Sequence, residues 1–204
     1  MYWTKSPCAV EDEAMELELH SQPLTQPLAH DCLTQEICHD WHGEPLSPPA
    51  RYRLLQDPTH LWFIAGREET IKPGNSGVCG DFVEGLWRYD VAELFIAGPN
   101  SKNYLEFNLA PNGAWWAARF SAPRRSEPLG ELPQVVCDAR QEQGWLAALG
   151  LPLNWLRPNI AWSANSPLNV CFILDSPEQR FISACDLGTG EPDFHRPARF
   201  QAPS

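Results

Sequence analysis

Two alternating runs, "NYLEFNLA" and "GAWWAARF", meet at Asn112-Gly113. Asn-Gly between alternating segments is the strongest short-range signal for a hairpin, and it commits this stretch to antiparallel β-structure. With Asn112 and Gly113 alone as the turn, Leu109 faces Trp116, Phe107 faces Ala118 and Leu105 faces Phe120. That row is wholly apolar and reads as the core face. The opposite side then pairs Ala110 with Trp115, Asn108 with Ala117 and Glu106 with Arg119, and Tyr104 continues the row. A Glu opposite an Arg contributes only about 0.2–1 kcal/mol to strand pairing, which is the structural account of that pair. A row holding Tyr104, Glu106, Asn108, Trp115 and Arg119 is also what a sugar requires. Hydroxyl groups bond to carboxylate, amide and guanidinium, while ring C–H faces stack on an indole.

Elsewhere the same grammar recurs. "AMELELH" alternates Met15, Leu17 and Leu19 against Glu16, Glu18 and His20. "RYRLL" and "HLWFIAG" flank the turn-forming "QDPT"; "DVAELFIAG", "PQVVCDA", "LNVCFILD" and "RFISACD" add further short runs. Strands of this length with Gly, Pro and Asn between them predict an all-β antiparallel sandwich. The 20 prolines support that class, because proline interrupts helices and is tolerated at turns and sheet edges. Residues 1–204 read as a single domain, with Pro-rich irregular segments near 21–50 and 121–133. "QGWLAALGL" fits a strand or a short helix equally well.

Charge and cysteine usage exclude several functions. A formal net charge of -11 with no Lys/Arg stripe repels polyanions, so no nucleic-acid partner is expected. No apolar run is long enough to span a membrane, and "MYWTKSPCAVEDEAMELELH" lacks the apolar centre of a signal peptide. Seven cysteines form no repeating framework, and Cys137 and Cys171 sit in apolar runs as small hydrophobes. The expected setting is reducing and cytoplasmic.

In "GLWRYDVAELFI", Ala92, Leu94 and Ile96 make one apolar face while Glu93 interrupts the other, between Val91 and Phe95. A carboxylate there must be exposed or partnered. Trp87 precedes it by six residues, roughly 20 Å if extended, so the two can share a ligand only if the chain turns at Trp87-Arg88-Tyr89.

These segments, together with "YLEFNLAPNGAWWAARF" and the ending "PDFHRPARF", resemble the DOMON-like proteins related to family 9 carbohydrate-binding modules. The resemblance runs from about Met15 to Phe200. It implies a β-sandwich that binds a mono- or oligosaccharide without chemistry. In the sugar-binding members two tryptophans sandwich a terminal sugar, a glutamate after the first tryptophan binds hydroxyls, and an arginine and an asparagine assist. By that resemblance Trp87 and Glu93 match the first tryptophan and the glutamate. The modules' arginine position is Glu106 here, which leaves Arg119 to supply a guanidinium. The second ring stays open among Trp115, Trp145, Trp155 and Trp162, with Trp145 nearest the expected region.

Other readings are weaker. Some DOMON domains hold haem between methionine and histidine, but Met15 alternates with leucines as a core residue would. Cys32, Cys38, His39 and His42 are zinc-type ligands at spacings unlike those of common structural sites, and no EF-hand spacing suggests calcium. No specific motif calls for a cofactor, and calcium and haem stay open. "PGNSGVCG" lacks the Lys-Ser/Thr and helix of a phosphate loop, and nothing near Cys79 would lower its pKa. Asp193 and His195 in "PDFHRP" read as anchors of the last strand. No catalytic residues are expected; a protein-interaction surface on the same fold is the alternative.

Overall fold

The computed structural model describes residues 14–29, 33–72, 74, 77–99 and 102–204. The expectations for the acidic N-terminus up to residue 13, for Cys32, and for Pro73, Asn75 and Ser76 of the glycine-rich loop fall outside those residues.

Two six-stranded sheets pack face to face as a β-sandwich. One orders β1 (Leu17–Leu19), β3 (Pro45–Gln56), β4 (His60–Arg67), β10 (Trp145–Pro152) and β9 (Val136–Gln141), with β2 (Gln35–His39) also pairing β3. The other orders β12 (Arg180–Ser183), β11 (Leu168–Leu174), β5 (Val91–Ala97), β6 (Tyr104–Leu109), β7 (Trp115–Ala122) and β8 (Arg125–Glu127). The β1–β3 pair is parallel and the remaining pairs are antiparallel.

Period-two alternation builds the core. Leu61, Phe63 and Ala65 of β4 and Ala147, Leu149 and Leu151 of β10 face Leu94 and Ile96 of β5 and Leu105, Phe107 and Leu109 of β6, all fully buried. The first sheet's outer face is covered as well, by Leu24, Leu28 and Leu33 against Leu55, Trp62, Ile64 and Ala148. This explains why β4 reads as a near-continuous apolar run rather than an alternating one.

Three local expectations change. "QGWLAALGL" is strand β10, and the helix lies just after it, at Leu153–Ile160 (α1), where Pro158 disguises it in the sequence. The Pro-rich segment 21–50 contains β2 and the start of β3. Its prolines fit because β3 pairs β4 only from Ala50 onward, so Pro48 and Pro49 precede that ladder. Met15 and Leu17 are buried as their alternation requires, but Leu19 is 66% exposed at the strand end.

The hairpin register also differs, and this decides the site. Leu109 pairs with Trp115, Phe107 with Ala117, Leu105 with Arg119 and Glu106 with Ala118. The Ala110 N–H bonds the Ala114 carbonyl and the Gly113 N–H bonds the Ala110 carbonyl, each at 2.9 Å, so Pro111-Asn112-Gly113 forms the loop. Gly113 at φ +80° supplies the left-handed residue that such a loop needs. The one-residue change turns every side chain of β7 to the opposite face. Trp115 and Ala117 go into the core, and Trp116, Ala118 and Phe120 join Glu106, Asn108 and Tyr104 outside.

Candidate functional site

On the outer face of the second sheet, Glu93 of β5 lies opposite Asn108 of β6, which lies opposite Trp116 of β7. Phe95 faces Glu106 one step along, making Glu93 and Glu106 diagonal neighbours on the same face. Glu93, Glu106 and Trp116 floor a cavity of about 370 Å³, within the size range of small-molecule sites, and Asn108 lies buried beneath the two acids. Its walls come from Trp87 on one side and Pro192, Phe194 and His195 on the other, with Phe120, Arg124, Ile173 and Phe181 completing it.

Local sequence explains how Trp87 reaches the cavity. Gly85 at φ +85° leads into a 3-10 turn over Leu86–Arg88, so the chain does bend where cooperation with Glu93 requires it. Leu86 buries its side chain against Val91, Ala110 and Ala114. Asp90 fixes the far end, accepting from the Ser176 hydroxyl (2.6 Å) and the Asp175 N–H (3.2 Å). Trp87, half-buried, meets Trp116 edge to face with centroids 5.0 Å apart.

The floor is acidic and dry. Glu93 and Glu106 are 3% and 6% exposed, and Asn108 is fully buried. Asn108 Nδ2 donates to Glu93 Oε1 at 3.1 Å and also bonds Glu106, while Asn108 Oδ1 has no partner among the described residues. Burial, reinforced by the charge of Glu106, pushes the Glu93 carboxyl well above the ordinary range despite the Asn108 bond. Burial also raises Glu106, against the lowering effects of Asn108 and Arg124. A carboxyl in that state is a neutral acid that can both donate and accept.

The C-terminal segment is ordered against this floor. His195 Nδ1 and the Tyr104 hydroxyl share a 2.8 Å hydrogen bond, and the Arg124 N–H donates to the same hydroxyl at 3.1 Å. Asp193 accepts from the His195 N–H (3.0 Å) and from the Arg124 guanidinium (2.9 Å). Burial, then the nearby Arg124 charge, lowers His195 to about 4, leaving a neutral ring 3.9 Å from Glu106 Oε2. The ending does anchor the last part of the chain, with Gln201 bridging Leu168, but it also forms a cavity wall.

Of the residues singled out from sequence, Trp87, Glu93, Glu106 and Asn108 come together. Trp115, Arg119 and Trp145 do not. Trp115 is 3% exposed, faces the core, and donates its indole N–H to the Gly80 carbonyl at 3.1 Å. Arg119 points to the inner side, where its guanidinium bonds Asn159 of α1. Trp145 shares its face with Ala147 and Leu149 between the sheets, 6.2 Å from the Phe172 ring. Trp162 is 6% exposed with its indole tied to Gln56, and Trp155 is bonded to the Glu131 carbonyl. The second indole lining the cavity is Trp116, which is none of the four candidates left open by the sequence. Pro111 carried the missed signal, since Pro at the second and Gly at the fourth position favour a type I turn. Phe120, expected on the core face, and His195, expected only as an anchor, both line the cavity, as do Arg124 and Phe194, which the sequence left unassigned; "PDFHRP" was the clue to Phe194 and His195.

A second cavity of about 540 Å³ lies by Thr59, His60, Gln134, Asn154 and Trp155. Its one acid, Glu131, is exposed, so it lacks the buried acceptors of the first. Among the described residues no three His, Cys, Asp or Glu side chains group as a metal ion would require, and no helix is long and apolar enough to cross a membrane.

Comparison with known proteins places the architecture among the carbohydrate-binding-module sandwiches. A Bacteroides uniformis protein to which carbohydrate binding is ascribed superposes with a TM-score of 0.64 at 15% identity, over 92% of this chain and 98% of that one. A family 9 carbohydrate-binding module from Caldicellulosiruptor kristjanssonii matches in two structures. Its glucose complex gives a TM-score of 0.54 at 13% identity, over 84% of this chain and 86% of the module. Its cellotriose complex gives 0.58 at 12%, over 91% and 90%. At these identities the likeness is one of fold.

In sequence, the chain is 29% identical to the human UPF0462 protein C4orf33 over 169 residues, covering 78% of this chain and 82% of the human protein. It is 30% identical to the Mus musculus homolog over 131 residues, covering 61% and 65%. No protein-family model matches the chain.

Proposed function

We propose that this protein is a non-catalytic binding module for a mono- or oligosaccharide, held in the cavity between Trp87 and the C-terminal segment. The observation that carries the reading is the pairing of two half-buried indoles, Trp87 and Trp116, with buried hydrogen-bonding groups on one cavity floor. A pyranose ring has apolar C–H faces and polar edges. The indoles match the faces, and Glu93 and Glu106, held by Asn108 beneath them, match the edges. Modules of the same fold complexed with glucose and cellotriose support the ligand class.

Binding alone accounts for these features. His195 and Tyr104 are each engaged with the other, and no Ser, Thr or Cys is among the described residues that line this cavity. The experiment is a titration of intrinsic tryptophan fluorescence with mono- and oligosaccharides in the wild type and in Trp87→Ala. A saturable change lost in the variant is expected; a response of equal affinity in Trp87→Ala would remove the site from this cavity.

A further inference from the structure

We propose that the cavity selects a saccharide bearing a protonated amine over the neutral sugar of the same ring. The inference rests on the saccharide reading and narrows its ligand.

When the two acids are ionised, the floor offers acceptors without matching donors. Glu93 and Glu106 present carboxyl groups from adjacent strands, and Asn108 spends its N–H donors on them. Asn108 Oδ1, buried beside both acids, is left without a donor among the described residues. A neutral hydroxyl brings one donor and needs acceptors satisfied in turn. An ammonium brings three donors and no acceptor, which is the complement of this floor.

Charge points the same way. Two buried carboxyls on one face repel each other, and each is costly to ionise without a cation. Among the described residues Arg124 is the one cationic side chain lining the cavity, and it stands at the rim, 63% exposed, with its guanidinium on Asp193 at 2.9 Å. His195, the other basic group there, is held neutral by burial and by Arg124. Among the described residues no fixed cation sits between the acids. A ligand ammonium would supply one, and the aromatic walls of Trp87, Trp116, Phe120 and Phe194 would add attraction through their ring faces.

The test is isothermal titration of the wild-type protein with glucose, galactose and mannose, each beside its 2-amino and 2-acetamido counterparts, at a pH where the free amines are protonated. The 2-acetamido sugars keep the nitrogen and remove the charge. At least one amino sugar should bind tenfold or more tightly than both neutral partners. Glu106→Gln, an isosteric change, should reduce that preference by about tenfold. Equal or tighter binding of the neutral sugars would overturn the amine selection and leave the saccharide reading standing. Absence of binding across all nine ligands would overturn both.

Discussion

Adjacent tryptophans on β7 should respond to truncation in opposite ways. Trp115 is 3% exposed in the inter-sheet core, with Phe82 edge-on at 4.9 Å and its indole N–H on the Gly80 carbonyl. An aromatic side chain of this kind buries roughly 150–250 Å², or about 4–6 kcal/mol at ~25 cal/mol per Å², as an upper bound. Measured Trp→Ala changes in cores cost about 3–5 kcal/mol, and the orphaned Gly80 carbonyl adds to that side. For a domain of this size each kcal/mol lowers Tm by about 2–4 °C, so Trp115→Ala should lose roughly 6–20 °C. Trp116 is half-buried over the cavity, and Trp116→Ala should cost about 1–2 kcal/mol, or roughly 2–8 °C. It should instead abolish the sugar response. Differential scanning calorimetry avoids the loss of the fluorescence reporter. If Trp116→Ala proved the more destabilising and Trp115→Ala mild, the hairpin would have the two-residue turn, and the site built on its register would be wrong.

Other consequences follow from single contacts. Gly113→Ala puts a Cβ 2.6 Å from Cys79 Sγ and 3.0 Å from Ala139 Cβ at a φ of +80°, and should cost about 1–3 kcal/mol in urea unfolding. A neutral result would mean that Gly113 does not hold the left-handed position. Asp57 is buried, which by itself would raise its carboxyl. Hydrogen bonds from Leu24, Trp62, Thr59 and His60 outweigh that and hold it well below the ordinary value of 3.8. Its contribution is therefore present above that value and lost as pH falls, and Asp57→Asn should flatten the acid limb of a stability profile. Glu106 works in the opposite sense. Its folded value, pushed up to about 7, exceeds the ordinary 4.5, so stability should decline as pH rises between the two. Urea midpoints at pH 5 and pH 8 should differ less in Glu106→Gln than in the wild type; an unchanged difference would deny Glu106 its buried, protonated state.

The sandwich was legible because alternation is a local property. Each of "HLWFIAG", "DVAELFIAG" and "LNVCFILD" carries its own strand signal. Which faces of neighbouring strands coincide depends on turn geometry, and there a one-residue choice matters. Gly113 suits both a two-residue turn and a three-residue loop, since each wants a left-handed residue; Pro111 discriminates between them. That choice moved Trp115 and Arg119 out of the site and Trp116 into it. Trp145 was legible as apolar but not as internal, because both sides of its sheet are covered. His195 is far from Glu106 in sequence, and only the folded path of the C-terminal segment places its imidazole 3.9 Å from the Glu106 carboxyl.

The most direct test of the central claim is a site-resolved one. In a 15N-labelled sample the indole N–H resonances of the tryptophans can be followed while a saccharide is added. Trp87 and Trp116, assigned by substitution, should shift together and saturate at one affinity, while the buried Trp62, Trp145 and Trp162 stay in place. Shifts confined to Trp155, beside the second cavity, or no shift at Trp87 and Trp116 with any sugar, would contradict the account.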